Sequence, residues 1–344
     1  MNKIIFTLLL LCFSFSDTVD LNRATQIAQN FSNSRVNSFE LDEVDVIEEN
    51  STTYFYIFKL IDKGFVVVSA HDSAMPVLAY SFDNLFTTTN TPPQVDYLLS
   101  VYKDNIDTII DDNLQPTNDI RSLWDLYSAP FDYIQERSVT PLLSCNWNQD
   151  SPWNNMCPTD QDGPGGNVYA GCVAISMVQI MYYWGYPEVG YGSHGFNAGG
   201  YGYQYADYGN STYDYSQMED NFATTEAQEL IYHAAVAVNM GFSPDGSGAS
   251  VMGGNNSAYS AMKNYFIYDH GVSRVQADDY STSQYRQFLE SDLDENQPII
   301  YVGYSNDGGH AWNIDGYEGD YFHNNFAYIR SILFSWLHKC SICK

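Results

Sequence analysis

Residues 171–184 of this 344-residue chain read GCVAISMVQIMYYW, and the rest of the sequence is best interpreted outward from this stretch. From Val173 the apolar side chains recur with a helical period, and Gly185 and Pro187 follow where a helix would stop. The sequence therefore predicts a buried helix that begins at or next to Cys172. A thiol in the first turn of a helix feels the positive end of the helix dipole, which favours the thiolate and creates a nucleophile. The alternative is a buried cysteine that packs as a small apolar side chain, the more usual fate of a lone cysteine.

A thiolate nucleophile needs a general base, and the chain offers seven histidines. His310 follows Gly308 and Gly309 and precedes a strand-like run, so that a backbone or a substrate can approach it closely. It lies 138 residues after Cys172, within the spacing of roughly 130–150 residues that papain-type peptidases show between cysteine and histidine. His233, in contrast, lies in a helical run among alanine and valine and is predicted to be a core or interface histidine.

The order of the other predicted elements indicates the fold class. The predicted elements are helices over 21–31, 95–110, 225–240 and 258–266 and strands over 54–60, 65–69, 298–304 and 311–317. After about residue 138, where glycine, tyrosine and tryptophan become frequent, the helices come first and the strands later. That order favours an α+β domain over a doubly wound sheet, and a smaller α+β unit is predicted before it.

Short motifs spread along the chain carry a family resemblance. They are GCVA at 171–174, QIMYYW at 179–184, GGHA at 308–311, DGY at 315–317, GFVVVSA at 64–70 and VNMG at 238–241. In these motifs the chain resembles the streptopain family of secreted cysteine peptidases, over most of residues 20–325. The resemblance implies a papain-like α+β peptidase domain, with a helical part and an antiparallel sheet, preceded by a small α+β prodomain.

The resemblance implies roles for four residues. Cys172 would be the nucleophile, and His310 the general base that later protonates the leaving amine. Gln149, in the stretch WNQ at 147–149, would donate to the oxyanion together with the backbone N–H of Cys172. Asn325, in FHNN at 322–325, would orient the imidazole. The implied substrates are proteins or peptides with a hydrophobic residue two positions before the scissile bond, and neither a cofactor nor a metal is implied.

The start of the chain predicts export. Residues 1–16 are interpreted as a signal peptide, because the apolar run over 4–15 is too short for a membrane span and a small-x-small pattern follows it. No later stretch is apolar for long enough to span a membrane, so we expect a secreted protein. An inhibitory propeptide is predicted over 17–137, with cleavage between Gln135 and Thr140, and a catalytic domain over 138–325.

The resemblance ends near Asn325. The family continues there with a run rich in tryptophan and glycine, whereas this chain reads FAYIR at 326–330 and ends in CSICK at 340–344. No acidic residue follows Asp320. We therefore expect residues 326–344 to form a divergent tail that is not family sequence. Such a tail would leave His310 and Asn325 poorly shielded from water and a sheet edge open.

Charge and cysteine content narrow the possible partners. The chain has 14 Lys and Arg against 42 Asp and Glu, a net charge of −28, which excludes nucleic acid and anionic membrane surfaces as partners. Cys145 and Cys157 are spaced so that they can pair. Cys340 and Cys343 have the spacing of half a zinc site, but a second pair is missing from the sequence and a structural zinc needs four ligands.

The predicted function is that of a secreted cysteine endopeptidase, made as a zymogen and inhibited by its own propeptide, that hydrolyses peptide bonds by a Cys–His thiolate mechanism. Two alternatives stay open. One is a catalytically inactive secreted binding protein on the same fold, which a genuine divergent tail would favour. The other is an aromatic-rich carbohydrate-binding surface protein, suggested by the tyrosines that recur between Tyr182 and Tyr215.

Overall fold

The computed structural model describes residues 18–36, 39–61, 63–86, 91, 93–132, 137–268, 272–305, 308–326, 332–335 and 340–343. The predicted signal peptide over 1–16 lies outside the described residues. We refer to residues 18–132 as the N-terminal unit and to residues 137–343 as the C-terminal unit. Both units combine helices with antiparallel strands, so the predicted α+β class is confirmed.

The elements of the described residues are as follows. The helices are α1 (Leu21–Arg35), α2 (Pro93–Asp111), α3 (Asn118–Tyr127), α4 (Cys172–Trp184), α5 (Thr225–Ala237), α6 (Ala258–Asn264) and α7 (Thr282–Asp294). The strands are β1 (Leu41–Glu49), β2 (Thr52–Leu60), β3 (Phe65–Ser69), β4 (Val77–Ser81), β5 (Ser138–Val139), β6 (His194–Asn197), β7 (Tyr203–Ala206), β8 (Arg274–Gln276), β9 (Ile299–Ser305), β10 (Gly308–Glu318), β11 (Tyr321–Asn325), β12 (Ile332–Ser335) and β13 (Cys340–Cys343).

Helix α4 begins and ends where the sequence predicts. Its first ten residues, from Cys172 to Met181, are all buried, which explains why its apolar side chains extend around the whole helix. Gly185 follows in the left-handed conformation, and its N–H bonds the carbonyls of Met181 and Tyr182. Only glycine adopts this conformation without strain, so Gly185 fixes the end of the helix.

One antiparallel sheet runs through both units. Its strand order is β1-β2-β3-β4-β12-β11-β10-β9-β13-β8, and β5 pairs with β10 beside this path. The predicted hairpin of β2 and β3 is confirmed, with Phe55 opposite Ser69. Strand β4 of the N-terminal unit pairs with β12 of the C-terminal unit, so the sheet is continuous across the boundary between the units.

Three clusters of buried apolar side chains cover the faces of this sheet. The first lies around α4, α5 and α6, and its buried members all fall between Cys145 and Ala311. The second is shared, because Leu98 of α2 packs in it with Leu293 of α7 and Trp312 of β10. The third packs α1 and α3 against the opposite face of the N-terminal strands. The N-terminal unit therefore shares part of its core with the C-terminal unit.

Polar contacts join the two units as well. Arg35 of α1 forms an ion pair with Glu318 of β10 at 3.2 Å, and its guanidinium lies over the ring of Phe31. The hydroxyl of Tyr321 donates to the carbonyl of Val77 at 3.2 Å. These contacts hold the N-terminal unit against β10, which carries His310, and against β11.

The tail forms two strands. β12 pairs with β11 and β4, and β13 pairs with β9 and β8. Our expectation of an open sheet edge is therefore wrong for β9 and β11. Strand pairing requires an extended backbone and does not require a family motif. The sequence ILFS over 332–335 has the β propensity to form such a strand. Residues 327–331, 336–339 and 344 lie outside the described residues.

None of the helices among the described residues combines the length and the apolar character that crossing a membrane requires.

Candidate active site

The nucleophile candidate Cys172 occupies the first position of α4. Gly171 precedes it with φ of +93°, and a Cβ at Gly171 would lie 2.5 Å from Sδ of Met240. The backbone conformation at position 171 therefore disfavours any other residue, and a side chain there would also require Met240 to move. This glycine lets the loop before α4 turn directly into the helix, which places the thiol at the helix start.

The Cys172 thiol is buried, with 8% of the residue exposed. Burial raises the pKa of this thiol, and the backbone N–H groups of Ala311, Val173 and Cys172 act in the opposite direction. The sequence suggested a thiolate stabilised by the helix dipole. In the full chain, burial outweighs the helix terminus and favours the neutral thiol.

Gln149 lies beside the nucleophile. The N–H of Ala170, two residues before Cys172, donates to the carbonyl of Gln149 at 2.8 Å, which ties the Gln149 segment to the nucleophile loop. A small cleft with a volume of about 10 Å³ lies between them. It is lined by Gln149, Cys172, Ile175, Ser176, Gln179, Ala311, Trp312, Asn325 and Phe326.

An acidic group adjoins this cleft. Asp150 follows Gln149 and accepts a hydrogen bond from the Asn148 side chain at 2.5 Å. Burial raises the pKa of Asp150 to about 6, so the carboxyl is partly protonated in mildly acidic solution.

His310 lies on β10 directly before Ala311 but does not line the cleft. Side chains alternate between the two faces of a strand, so His310 shares a face with Trp312 rather than with Ala311. Its ring lies 6.0 Å from the ring of Tyr97 on α2, centroid to centroid, and burial lowers the pKa of the imidazole. No hydrogen bond joins the described side chains of His310 and Cys172. In the described residues, the ring contact of His310 is thus with Tyr97 of the N-terminal unit.

Tyr97 occupies a specific position between the units. Its hydroxyl donates to the carbonyl of Tyr304 at 3.2 Å, and its ring lies 6.0 Å from that of Trp312. A Cβ at Gly303 would lie 2.3 Å from this ring, so the absence of a side chain at Gly303 makes room for it. Tyr97 could not be found from the sequence, because no local signal relates a tyrosine of one unit to a histidine of the other.

Asn325 is buried at the end of β11 and lines the cleft. Its amide donates to the carbonyl of Cys145 at 3.1 Å and accepts from Nε2 of Gln179 at 3.2 Å. In the full chain these bonds connect Asn325 to the nucleophile helix and to the segment before Gln149.

A buried pair lies farther along the same strands. Nδ1 of His323 bonds a carboxylate oxygen of Asp315, and the other carboxylate oxygen accepts the N–H of Leu143 at 2.8 Å. Both side chains of the pair are almost completely buried. The sequence offered a signal for it, since both residues lie in the motifs of the resemblance, but it gave them no role.

The remaining sequence expectations concern cysteines and histidines. Cys145 and Cys157 are both buried and do not form the disulfide that their spacing permits, and burial raises the pKa of the Cys157 thiol to about 12. His233 is a core histidine as predicted, with Tyr213 Oη 2.9 Å from its Nδ1. The described residues contain no cluster of potential metal ligands, and the side chains of Cys340 and Cys343 lie outside them.

Comparison with known proteins gives matches to both units. The Peptidase C10 family matches residues 147–328, more than half of the chain, and a family described as Spi protease inhibitor matches residues 16–106. Streptopain from Streptococcus pyogenes serotype M28 is 25% identical over 313 residues, covering 84% of this chain and 75% of that protein. The thiol protease/hemagglutinin PrtT from Porphyromonas gingivalis is 28% identical over 356 residues, covering 95% of this chain and 40% of that protein.

Two solved structures are similar in fold. A fragment of prointerpain A from Prevotella intermedia superposes with a TM-score of 0.71 at 25% identity, covering 88% of this chain and 98% of that one. The active cysteine protease interpain A from the same organism superposes with a TM-score of 0.54 at 26% identity, covering 62% of this chain and 98% of that one. The pro-form therefore matches a larger part of this chain than the active form does.

Proposed function

The chain belongs to the Peptidase C10 family, and from this premise we propose that it is a secreted cysteine endopeptidase whose catalytic residues are Cys172, His310, Gln149 and Asn325. That it is a cysteine peptidase with a zymogen-like N-terminal unit follows from the family and from its thiol protease relatives. The observation that supports the finer assignment is the shared cleft of Cys172 and Gln149, which is lined by both a helix-terminal thiol and a residue with a side-chain amide.

In the proposed mechanism the Cys172 thiolate attacks the carbonyl carbon of a peptide bond. The electron pair of the C=O bond moves to oxygen, and the Gln149 amide and the backbone N–H of Cys172 stabilise this oxyanion. His310 has taken the proton of the thiol, and it then donates this proton to the leaving amine. An acyl-enzyme thioester remains on Cys172. Water, deprotonated by His310, attacks the thioester, and the carboxylic acid product and the Cys172 thiolate separate.

This mechanism requires the imidazole of His310 to reach the Cys172 thiol. Asn325 lines the cleft, so we assign it the role of orienting the imidazole there. The full chain instead keeps His310 against Tyr97. We therefore assign latency to the N-terminal unit, which acts as an inhibitory propeptide by holding the base away from the nucleophile.

The boundaries of the zymogen remain the predicted ones, a propeptide over 17–137 and a catalytic domain over 138–325. The contacts of Arg137 and Val139 with the C-terminal unit favour a cut near the start of the predicted interval. The carbonyl of Arg137 accepts from Gly319, and Val139 pairs with Tyr317 in the sheet. A cut before these residues preserves the contacts, whereas Gln135 and Glu136 lie outside the described residues.

A cleavage assay with casein tests the proposed function. The purified chain is activated by limited proteolysis and assayed with and without an irreversible epoxide inhibitor of thiol proteases, and the labelled residue is identified by mass spectrometry. We expect inhibitor-sensitive cleavage within the casein chain and labelling of Cys172. Absence of cleavage by a processed and demonstrably folded chain would contradict the proposal and favour the inactive binding protein.

A further inference from the structure

The segment that carries Gln149 is held by side chains from the C-terminal unit. Residues 140–148 form neither helix nor strand. Along this extended chain the N–H of Leu143 donates to Asp315, and the carbonyl of Cys145 accepts from Asn325. The carbonyl of Trp147 accepts from Nε2 of Gln179 at 3.2 Å. The last of these side-chain contacts lies two residues before Gln149, and it acts together with the bond from the N–H of Ala170 to the Gln149 carbonyl.

Gln179 connects several elements through one amide. It lies on α4, two turns after Cys172, and only 1% of it is exposed. Its Oε1 accepts from Asn313 of β10 at 2.7 Å, and its Nε2 donates to the Trp147 carbonyl and to Oδ1 of Asn325, each at 3.2 Å. Both hydrogens of the amide nitrogen and the amide oxygen therefore form hydrogen bonds. This polar group lies in a largely apolar helix.

We propose that Gln179 is a positioning residue that sets the place of Gln149 relative to Cys172. The proposal rests on the proposed function, in which Gln149 stabilises the oxyanion. Gln179 belongs to the same helix as the nucleophile, and it bonds the backbone of the segment that carries the oxyanion donor. The distance between nucleophile and donor is thereby fixed through one rigid element.

The physical basis is the sensitivity of catalysis to geometry. The ring of Trp147 also anchors the segment, because it is buried between Trp153 and Tyr182 and its Nε1 donates to Glu219. This ring holds the side-chain end of residue 147, whereas Gln179 holds its carbonyl and thus the direction of the chain toward Gln149. A displacement of about 1 Å at such a site costs on the order of a hundredfold in rate.

Two reactions of Cys172 separate positioning from general folding. Peptide hydrolysis needs an oxyanion donor, whereas alkylation by iodoacetamide needs the thiolate alone. In activated Gln179→Met, which keeps the side-chain length and removes its hydrogen bonds, we expect kcat to fall about 10–100-fold. We expect the alkylation rate of Cys172 to change less than about threefold, because no hydrogen bond joins Gln179 to the thiol among the described residues and Asn325 keeps its bond to the Cys145 carbonyl when Gln179 is replaced. Equal losses in both reactions would overturn the proposal.

A double-mutant cycle tests whether Gln179 acts through Gln149. If it does, Gln179→Met should lower kcat less than about threefold in a Gln149→Ala background, because the positioned group is already absent. Losses that multiply in full would overturn the proposal. The matched control is Asn154→Leu, which removes a buried amide that bonds the carbonyls of Pro164 and Val168 instead. An equal fall in kcat in this control would also overturn it.

Hydrogen exchange keeps the test independent of activity. In the full-length chain, Gln179→Met should speed exchange in the peptide that spans residues 145–149, and Asn154→Leu should not. Unchanged exchange in that peptide would overturn the positioning role, even if the wild-type chain cleaves no substrate. Failure of the wild type in the casein assay would count against the proposed function alone.

Discussion

The two halves of the candidate active site lie on opposite faces of β10, and different parts of the chain pack against these faces. Cys172 and Ala311 belong to a core whose buried members all come from the C-terminal unit. Trp312, on the face of His310, belongs to a core that contains Tyr97 and Leu98 of the N-terminal unit. The candidate nucleophile is thus packed by its own unit, whereas the surroundings of the candidate base depend on the N-terminal unit. Removal of the propeptide should therefore alter His310 far more than Cys172.

The largest effect should come from the base itself. After activation, His310→Ala should lower kcat about 10²–10⁴-fold, because the proton transfers to and from the leaving amine and water lose their carrier. Steady-state kinetics on a peptide substrate measures this loss. His194→Ala is the control, since His194 bonds Asn239 in a separate hairpin and should stay near the wild-type rate. A rate like the wild type in His310→Ala would remove His310 from the mechanism.

Substitution of the proposed oxyanion donor tests the half of the site that contains Cys172. Gln149→Ala should lower kcat about 10–10³-fold, because the developing charge loses one hydrogen-bond donor. The exposed loop amide Gln161 provides the matched variant, Gln161→Ala, which should leave kcat unchanged. If the two glutamine variants behaved alike, Gln149 would have no part in the oxyanion site.

The propeptide side is tested by Tyr97. In the uncut chain, Tyr97→Ala should raise the hydrolysis of a small peptide substrate by about tenfold or more, because a buried aromatic anchor of the interface is lost. Tyr97→Phe keeps the ring against His310 and should have little effect. Tyr54→Ala serves as control, since its hydroxyl bonds Asp107 within the N-terminal unit. Similar activation of the Tyr54 and Tyr97 variants would indicate a loosened propeptide and not a displaced base.

The smallest effect concerns the stability of the core around the nucleophile. Burial lowers the pKa of His233 to about 4, and Glu229, 3.9 Å from its Nε2, does not offset this. Since the unfolded chain binds this proton more readily, stability is complete above pH 6.5 and is lost as the pH falls toward 4. We expect a loss of roughly 1–2 kcal/mol between pH 7 and pH 5.

Urea unfolding of the full chain at a series of pH values measures this slope. His233→Gln cannot take up the proton, so its stability should vary less with pH over the same interval. An identical slope in the variant would assign the acid sensitivity to other groups.

The features that depend on a local sequence pattern could be predicted from the sequence. Helix α4 could be placed to the residue, because its apolar period, Gly171 and Gly185 act within one short stretch. Gln149 and Asn325 could be named only by resemblance, and the structure brings both to the Cys172 cleft. The contact of Tyr97 with His310 could not be predicted, because it joins residues more than two hundred positions apart on different units. Gln179 was part of a recognised motif, but its partners become evident only when the strands are assembled.

Because the two units share a core, the strength of latency should depend on temperature. Separation of the propeptide would expose apolar side chains of both units to water, as partial unfolding does, so separation should carry a positive heat-capacity change. The contact is then held largely by the release of ordered water near room temperature, and it weakens on cooling. The temperature at which the zymogen is kept should therefore influence how tightly it restrains its own active site.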